Sequence, residues 1–187
     1  MRVIGGEFRS RAIKSLPGLD VRPTPDRLRE ALFNILAPRI AGAIFADLYA
    51  GTGAVGIEAL SRGAARAIFV EHKHAAARAI RENLQSLGIE GRAEVRQGRA
   101  TAMIPRLEAG IVFLDPPYAL ENEYQSSLEL LGEKPPLLVI VQHPARLKLA
   151  DQYGTLQRMR LVKHGDNAIS FFEPEAPPEG PPGGHRD

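Results

Sequence analysis

A chain of 187 residues is long enough for one three-layer domain and leaves little room for a second module. Its 44% apolar and 25% charged residues suit a globular protein, and no apolar run is long enough to span a bilayer. There is no cysteine, which excludes disulfides, a thiol nucleophile and Cys-ligated zinc, and the net charge is only +2. The opening Met1-Arg2-Val3-Ile4-Gly5-Gly6-Glu7 carries no signal-peptide apolar stretch, so a cytoplasmic protein is expected.

The charge is unevenly distributed. Residues 1–29 hold seven basic side chains against Glu7, Asp20 and Asp26, so a basic arm precedes a near-neutral body. Such an arm suits phosphate, with Arg9, Arg11, Lys14, Arg22 and Arg27 as candidate nucleic-acid contacts; a solvated, merely charged terminus is the competing reading. Residues 1–22 read as short extended pieces broken at Gly5-Gly6 and Pro17-Gly18, a hairpin or two. Thr24 then serves as N-cap and Pro25 as first helical residue of a helix carrying Leu28, Leu32, Ile35 and Leu36, which Pro38 should end.

From residue 43 strands and helices alternate. The expected strands are Ala43 to Ala50, Ala67 to Val70, Ala93 to Arg96, Gly110 to Leu114 and Leu137 to Val141. The intervening helices reach to about Arg62, then cover Lys73 to Leu87, 100–107 and 122–131, with Gly88 as a C-terminal stop. Segments 155–162 and 167–172 flank His164-Gly165-Asp166 as an antiparallel hairpin. The series implies a parallel sheet wrapped by helices and finished by an antiparallel pair. Residues 174–187, with five prolines, three glycines and no large apolar side chain, read as a disordered tail.

Two motifs carry chemistry. Gly51-Thr52-Gly53-Ala54-Val55-Gly56 is a G-x-G-x-x-G between a strand and a helix, where glycines permit a tight turn and close approach of a ligand to the backbone. Glu71 ends the next strand, placed to accept hydrogen bonds from two ribose hydroxyls. This pair does not separate a dinucleotide from S-adenosylmethionine, since both contain adenosine. Asp115-Pro116-Pro117-Tyr118 follows the fourth strand and should open at the carboxyl edge of the sheet. An exocyclic amine on a nucleic-acid base is a poor nucleophile, because its lone pair is delocalised into the ring. A carboxylate and a backbone carbonyl that accept its two N–H groups return density to nitrogen and stabilise the charge that develops on methyl transfer. Pro116 and Pro117 restrict the backbone and aim that carbonyl, and Tyr118 offers a face on which an extruded base can stack.

Asp47-Leu48-Tyr49-Ala50-Gly51-Thr52-Gly53, Glu71 and Asp115-Pro116-Pro117-Tyr118 resemble the motifs of class I amino-methyltransferases. Arg22 to Leu36, Gly56 to Ala64 and Gly165 to Phe172 resemble, more specifically, the RsmD family, bacterial enzymes that methylate N2 of one guanine in 16S ribosomal RNA. The resemblance covers about residues 1–173. It implies a Rossmann-like α/β fold, a mostly parallel seven-stranded sheet with an antiparallel C-terminal hairpin and a small N-terminal hairpin and helix. One domain over 1–173 would comprise an appendage (1–38) and a core (43–173). S-adenosylmethionine is the implied cofactor. Gly51 and Gly53 would pass its methionine part, Asp47 would support its amino group and Glu71 would hold the ribose. Tyr49, Arg99 and Ala100 complete the cofactor candidates. Asp115 and Pro116 would hold the guanine amine and Tyr118 the ring. The implied partner is 16S rRNA or an assembling small subunit, bound by a monomer.

The sequence departs from the class at one point: Gln97-Gly98-Arg99-Ala100 stands where many class I methyltransferases place an acid for the adenine amine, and Arg99 cannot accept a hydrogen bond. Three other readings compete: an adenine-N6 methyltransferase with the same four-residue motif, a nicotinamide-dependent oxidoreductase, and a non-catalytic RNA-binding protein. Other polar residues read as structural. His72 and His74 lack a third ligand, so no metal site is expected. His143 and His164 fit edge or turn positions, and Glu58 with Arg62 fits a helix-surface ion pair.

Overall fold

The computed structural model describes residues 1–16 and 26–175, so Arg22, Thr24 and Pro25 lie outside the described residues, as does the tail from 176 on. Helix α1 covers Asp26–Ile40 and does not stop at Pro38. Proline costs a helix one backbone bond and a clash, but here it falls in the last turn, and Ile40, 3% exposed, is held in the core beside Leu36 and Phe45. The chain then alternates: β1 (Ile44–Leu48), α2 (Ala54–Ser61), β2 (Arg66–Glu71), α3 (His74–Leu87), β3 (Ala93–Gln97), α4 (Ala100–Met103), β4 (Ile111–Leu114), α5 (Glu121–Glu133) and β5 (Leu138–Pro144). Gly88 closes α3 in the left-handed conformation (φ 69°), as its position predicts. The chain ends in β6 (Gln152–Tyr153), β7 (Leu156–His164) and β8 (Asn167–Pro174).

One sheet runs β3-β2-β1-β4-β5-β8-β7-β6, parallel through β5 and antiparallel beyond it. It has eight strands rather than seven, because the two-residue β6 adds itself to the edge of β7. The last strand reaches Pro174, and the Glu175 N–H donates to the Thr155 carbonyl, so ordered pairing runs past the expected start of the tail. At the other terminus, residues 17–22 lie outside the described residues, and the expected hairpin or two appears, among the described residues 1–16, as one antiparallel bridge, Arg2 with Ala12. Val3 and Ile13 are its anchors, each 2% exposed and packed against Ile57 and Leu60 of α2.

Strand alternation sorts the core into two faces. Ala46, Leu48, Val112, Leu114, Val139 and Val141 meet Ala100, Tyr124 and Leu128 on the side covered by α4 and α5. Phe45, Ile111, Phe113 and Ile140 meet Leu28, Leu32, Phe33 and Leu36 of α1 on the other, where Ala67 and Phe69 also meet α2 and α3. Leu48 lies level with Val70 on one side and Leu114 on the other, so Tyr49, Glu71 and Asp115 emerge together at the carboxyl edge. Between β1 and β4 the strand order reverses, leaving the crevice in which open α/β sheets hold ligands.

His143 contradicts the sequence reading of an edge or turn histidine. It lies inside β5 at 2% exposure, next to β8 in the sheet interior. Its Nδ1 is 2.9 Å from the Pro144 carbonyl and must donate, which leaves Nε2 to accept from the Ser170 hydroxyl, also at 2.9 Å. Burial lowers its pKa and keeps it neutral.

Candidate functional site

The glycine-rich turn is pinned from three directions. The Gly51 N–H donates to Glu71 Oε2 at 2.8 Å, and the Lys73 N–H to Glu71 Oε1 at 2.8 Å, so one buried carboxylate ties the end of β2 to the turn after β1. The Gly56 N–H donates to Asp47 Oδ2 at 2.9 Å. Asp47 is 2% exposed; burial pushes its carboxyl up to about 7, opposed by the Gly56 bond and reinforced by the charge of Glu71. Gly53 has φ 84°, and Gly56 lies so close to β2 that a Cβ there would stand 2.3 Å from the Phe69 ring. The third glycine of the motif therefore serves helix-to-strand packing.

A cavity of about 540 Å³ opens over the carboxyl edge, between Gly51, Glu71 and Tyr49 on one side and Asp115 to Leu120 on the other. The structure thus brings Tyr49, Gly51, Glu71, Asp115, Pro116, Pro117 and Tyr118 around one space. Asp47 and Gly53 stand behind the turn instead of on the cavity wall, Asp47 bonded to Gly56 and Gly53 facing Ile80 and Phe69. A smaller recess of about 180 Å³ shares Tyr49, His72, Pro117 and Leu120 with the cavity and continues past the end of β3, where Gly98, Arg99 and Ala100 line it.

Several polar side chains that the motifs do not contain hold this geometry. The buried Tyr124 of α5 donates to the Pro116 carbonyl at 3.0 Å, and burial raises its pKa, so it stays a donor. Gln142 of β5 donates from Nε2 to Asp115 Oδ2 at 3.3 Å. The Tyr118 hydroxyl donates to Asn167 Oδ1 at 2.5 Å, hanging the Asp115 loop on the start of β8. Tyr49 sits in the left-handed region at φ 65°, costly for a side chain of its size, and its hydroxyl is fixed by Glu123 at 2.7 Å and Ser127 at 2.9 Å. Spacing could not reveal these partners; an aromatic on the inner face of α5 was the nearest signal.

The basic arm is placed differently from the motifs. Lys14 clasps α3 through Asn83: its N–H donates to Asn83 Oδ1 at 2.8 Å, and Asn83 Nδ2 reaches both the Lys14 carbonyl and that of Thr52 in the glycine turn. The Lys14 ammonium pairs with Glu82 at 2.5 Å, and Arg11 donates to the Ser86 carbonyl near the end of α3. Glu7 and Phe8 donate to Ser61 at the end of α2, and Glu7 pairs with Arg92 just before β3. Arg9 and Arg11 are exposed in this stretch, and neither lines the cavity that holds Asp115. Arg27 is exposed in the first turn of α1, and Arg29 of the same turn is buried, donating to the Arg2 carbonyl at 2.7 Å.

Glu58 is the centre of that anchoring and not part of a surface pair. It is fully buried, accepting from the N–H groups of Ile4 and Gly5 at 2.8 and 2.9 Å and from Arg62 at 2.8 Å, with the buried Arg29 3.9 Å away. Arg62 in turn lies over the Phe33 ring, 5.3 Å from its centre. The spacing of four suggested a solvated pair, but α2 is apolar on nearly every side, so its acid is enclosed once the arm closes over it. Among the described residues no cluster of His, Asp and Glu is arranged to hold a metal ion, and no helix is long and apolar enough to cross a membrane.

Known proteins resemble this chain along most of its length. YlbH of Bacillus subtilis is 33% identical over 182 residues, covering 92% of this chain and 98% of that protein. The ribosomal RNA small subunit methyltransferase D of Haemophilus influenzae is 35% identical over 151 residues, 76% of this chain and 78% of its own. The solved structure of yhhF from Escherichia coli superposes with a TM-score of 0.79 at 34% identity, covering 95% of this chain and 99% of that one. The model of the family described as conserved hypothetical protein 95 matches residues 1–173. The chain belongs to that family, shared with the small-subunit methyltransferase D proteins.

Proposed function

We propose that the protein is an S-adenosylmethionine-dependent methyltransferase of small-subunit ribosomal RNA, acting on the exocyclic N2 of a guanine. The observation that carries this reading is that Asp115-Pro116-Pro117-Tyr118 opens into the same cavity as Gly51 and Glu71. The cavity volume falls in the range of small-molecule sites, about 300–1,000 Å³. Its wall offers the Glu71 carboxylate, with acceptor capacity beyond the two N–H groups it holds, next to the glycine turn and an apolar recess, an arrangement that fits an adenosine with an attached amino acid.

Bound S-adenosylmethionine supplies a methyl group already activated as a sulfonium. The chain's part is to present the amine. Asp115 accepts one of its N–H groups and the Pro116 carbonyl the other, drawing lone-pair density onto nitrogen and countering the positive charge that grows there. Gln142 holds the Asp115 carboxylate and Tyr124 holds the Pro116 carbonyl, so both acceptors are set before the base arrives. Tyr118, tethered to Asn167, supplies the stacking face. A loop base is easier to extrude than a paired one, which suits an unpaired guanine as the target. Arg27 at the head of α1 and Arg9, Arg11 and Lys14 along the α2–α3 flank would take phosphates of a longer stretch of the same RNA, with Arg22 in the segment between. The decisive experiment supplies rRNA or small subunits with labelled methyl donor and resolves the nucleosides by mass spectrometry. Labelled N2-methylguanosine is expected. Label only in N6-methyladenosine would overturn the base assignment, and no label at all the methyltransferase assignment.

A further inference from the structure

The recess beyond Glu71 contains an acid that the chain order hides. Its β3 side carries Arg99, which has no acceptor, but the opposite wall is α5, and Glu123 projects from it into the same recess as Val70, Ala100 and Leu120. Glu123 is well ordered by its partners: Oε2 accepts from the Tyr49 hydroxyl at 2.7 Å and Oε1 from Arg99 at 3.1 Å. Its side chain is 17% exposed, whereas that of Arg99 is 74% exposed, so the carboxylate faces the recess and the guanidinium caps it from solvent. A carboxylate has room for about four hydrogen bonds, so two acceptor positions remain after Tyr49 and Arg99. Apolar walls with one acceptor at the rim match a flat purine whose only exocyclic group is an amine. Tyr49 keeps its proton, because burial raises its pKa, and therefore fixes Glu123 as an acceptor.

We propose that Glu123 of α5 is the acceptor for the 6-amino group of the cofactor's adenine, taking over from helix α5 the role that Arg99 leaves open at the end of β3. The inference rests on the cofactor reading above. It also gives the strained Tyr49 a purpose, since the residue held at φ 65° is the one whose hydroxyl meets Glu123 and Ser127.

The test is a comparison of two ligands by calorimetry, S-adenosylhomocysteine and S-inosylhomocysteine, in which an oxo group replaces the 6-amine. The wild type should prefer the amino form by at least about tenfold, the scale of a hydrogen bond to a charged group, because the oxo group would face a carboxylate. In Glu123→Gln, whose amide can donate to an oxo group, and in Glu123→Ala, the preference should collapse to within a few-fold. The ratio is internal to each variant, so a general loss of affinity cancels, and the Gln variant preserves the shape that Tyr49 and Arg99 pack against. An undiminished preference in both variants would overturn the inference while leaving the cofactor reading intact. A wild type that binds neither ligand would overturn the cofactor reading itself, and the inference with it.

Discussion

Replacing Glu58 by alanine separates two very different accounts of one residue. If Glu58 and Arg62 formed an exposed i, i+4 pair, the change would cost about 0.3–0.5 kcal/mol. In the structure the same carboxylate is fully buried, holds the N–H groups of Ile4 and Gly5, and lies 3.9 Å from a guanidinium, that of Arg29, which is itself fully buried. Removing one partner of a buried ion pair costs about 3–5 kcal/mol, and here Arg29 keeps a second partner, Asp26 at 3.0 Å. Two amides also lose a charged acceptor, at about 1.5–3 kcal/mol each where water does not replace it. Because the arm can lift and let water reach those amides, the lower end of the ion-pair range is the better expectation, about 3 kcal/mol. For a chain of this size that is a fall in melting temperature of roughly 10 °C. Glu58→Gln, which keeps an acceptor but not the charge, should fall between. Urea unfolding measures the loss, and limited proteolysis between residues 5 and 14 should accelerate in parallel as the arm detaches. A loss below about 1 kcal/mol with an unchanged cleavage pattern would refute the anchoring role.

Asp115→Ala should lower methyl transfer about a hundredfold or more with cofactor affinity unchanged; turnover near wild type would remove Asp115 from the chemistry. Glu71→Ala should weaken the cofactor by about 1.5–3 kcal/mol, and an unchanged dissociation constant by calorimetry would dismiss the ribose contact. Tyr124→Phe deletes only the donor to the Pro116 carbonyl, so the turnover number should drop several-fold at constant cofactor affinity; a change in affinity alone would show that Tyr124 serves packing instead. Asp47 has its carboxyl raised from 3.8 to about 7, so its folded form favours the proton and stability is lost as pH rises between those values. Asp47→Asn keeps an acceptor for Gly56 and lacks that penalty, nominally about 4 kcal/mol at 1.36 per pH unit. Its stability relative to wild type should therefore climb from pH 4 to 7 and level off above, and a flat difference in urea midpoints would contradict the buried-charge account.

The strand series and the four-residue motif were legible because each leaves a local trace. Buried strands read as short apolar runs, and Asp115-Pro116-Pro117-Tyr118 is contiguous. What escaped was polar and long-range. Asn83 joins the arm to the glycine turn, Gln142 steadies Asp115 and Glu123 faces the recess from another helix, and none shares a sequence neighbourhood with its partner. Glu58 and His143 escaped for a related reason: a charged or titratable residue reads as exposed unless its whole element is seen to be enclosed. The all-round apolarity of α2 was the available sign for Glu58, and the unbroken run from Leu138 through Val141 was the sign for His143. Pro38 shows the opposite error, a local rule outweighed by the burial of Ile40.

The two walls of the large cavity hang from different strands. The glycine turn and Glu71 belong to β1 and β2, whereas Asp115, Gln142 and the Asn167 tether of Tyr118 belong to β4, β5 and the antiparallel β8. The β1–β4 seam joins them within the sheet, Phe45 to Leu48 against Ile111 to Leu114, and Tyr49 adds a second tie through Glu123 and Ser127 of α5. On the proposed reading, β8 meets the acceptor platform with two strands between it and β1, so a change there reaches Tyr118 before it reaches the donor seat. Grafting a different C-terminal hairpin onto β5 would tilt Tyr118 and reset which flat ring is accommodated, with the glycine turn, Asp47 and Glu71 left as they are. The sheet carries the two walls on separate strands, and on the proposed reading the antiparallel C-terminal side is the one that faces the target ring.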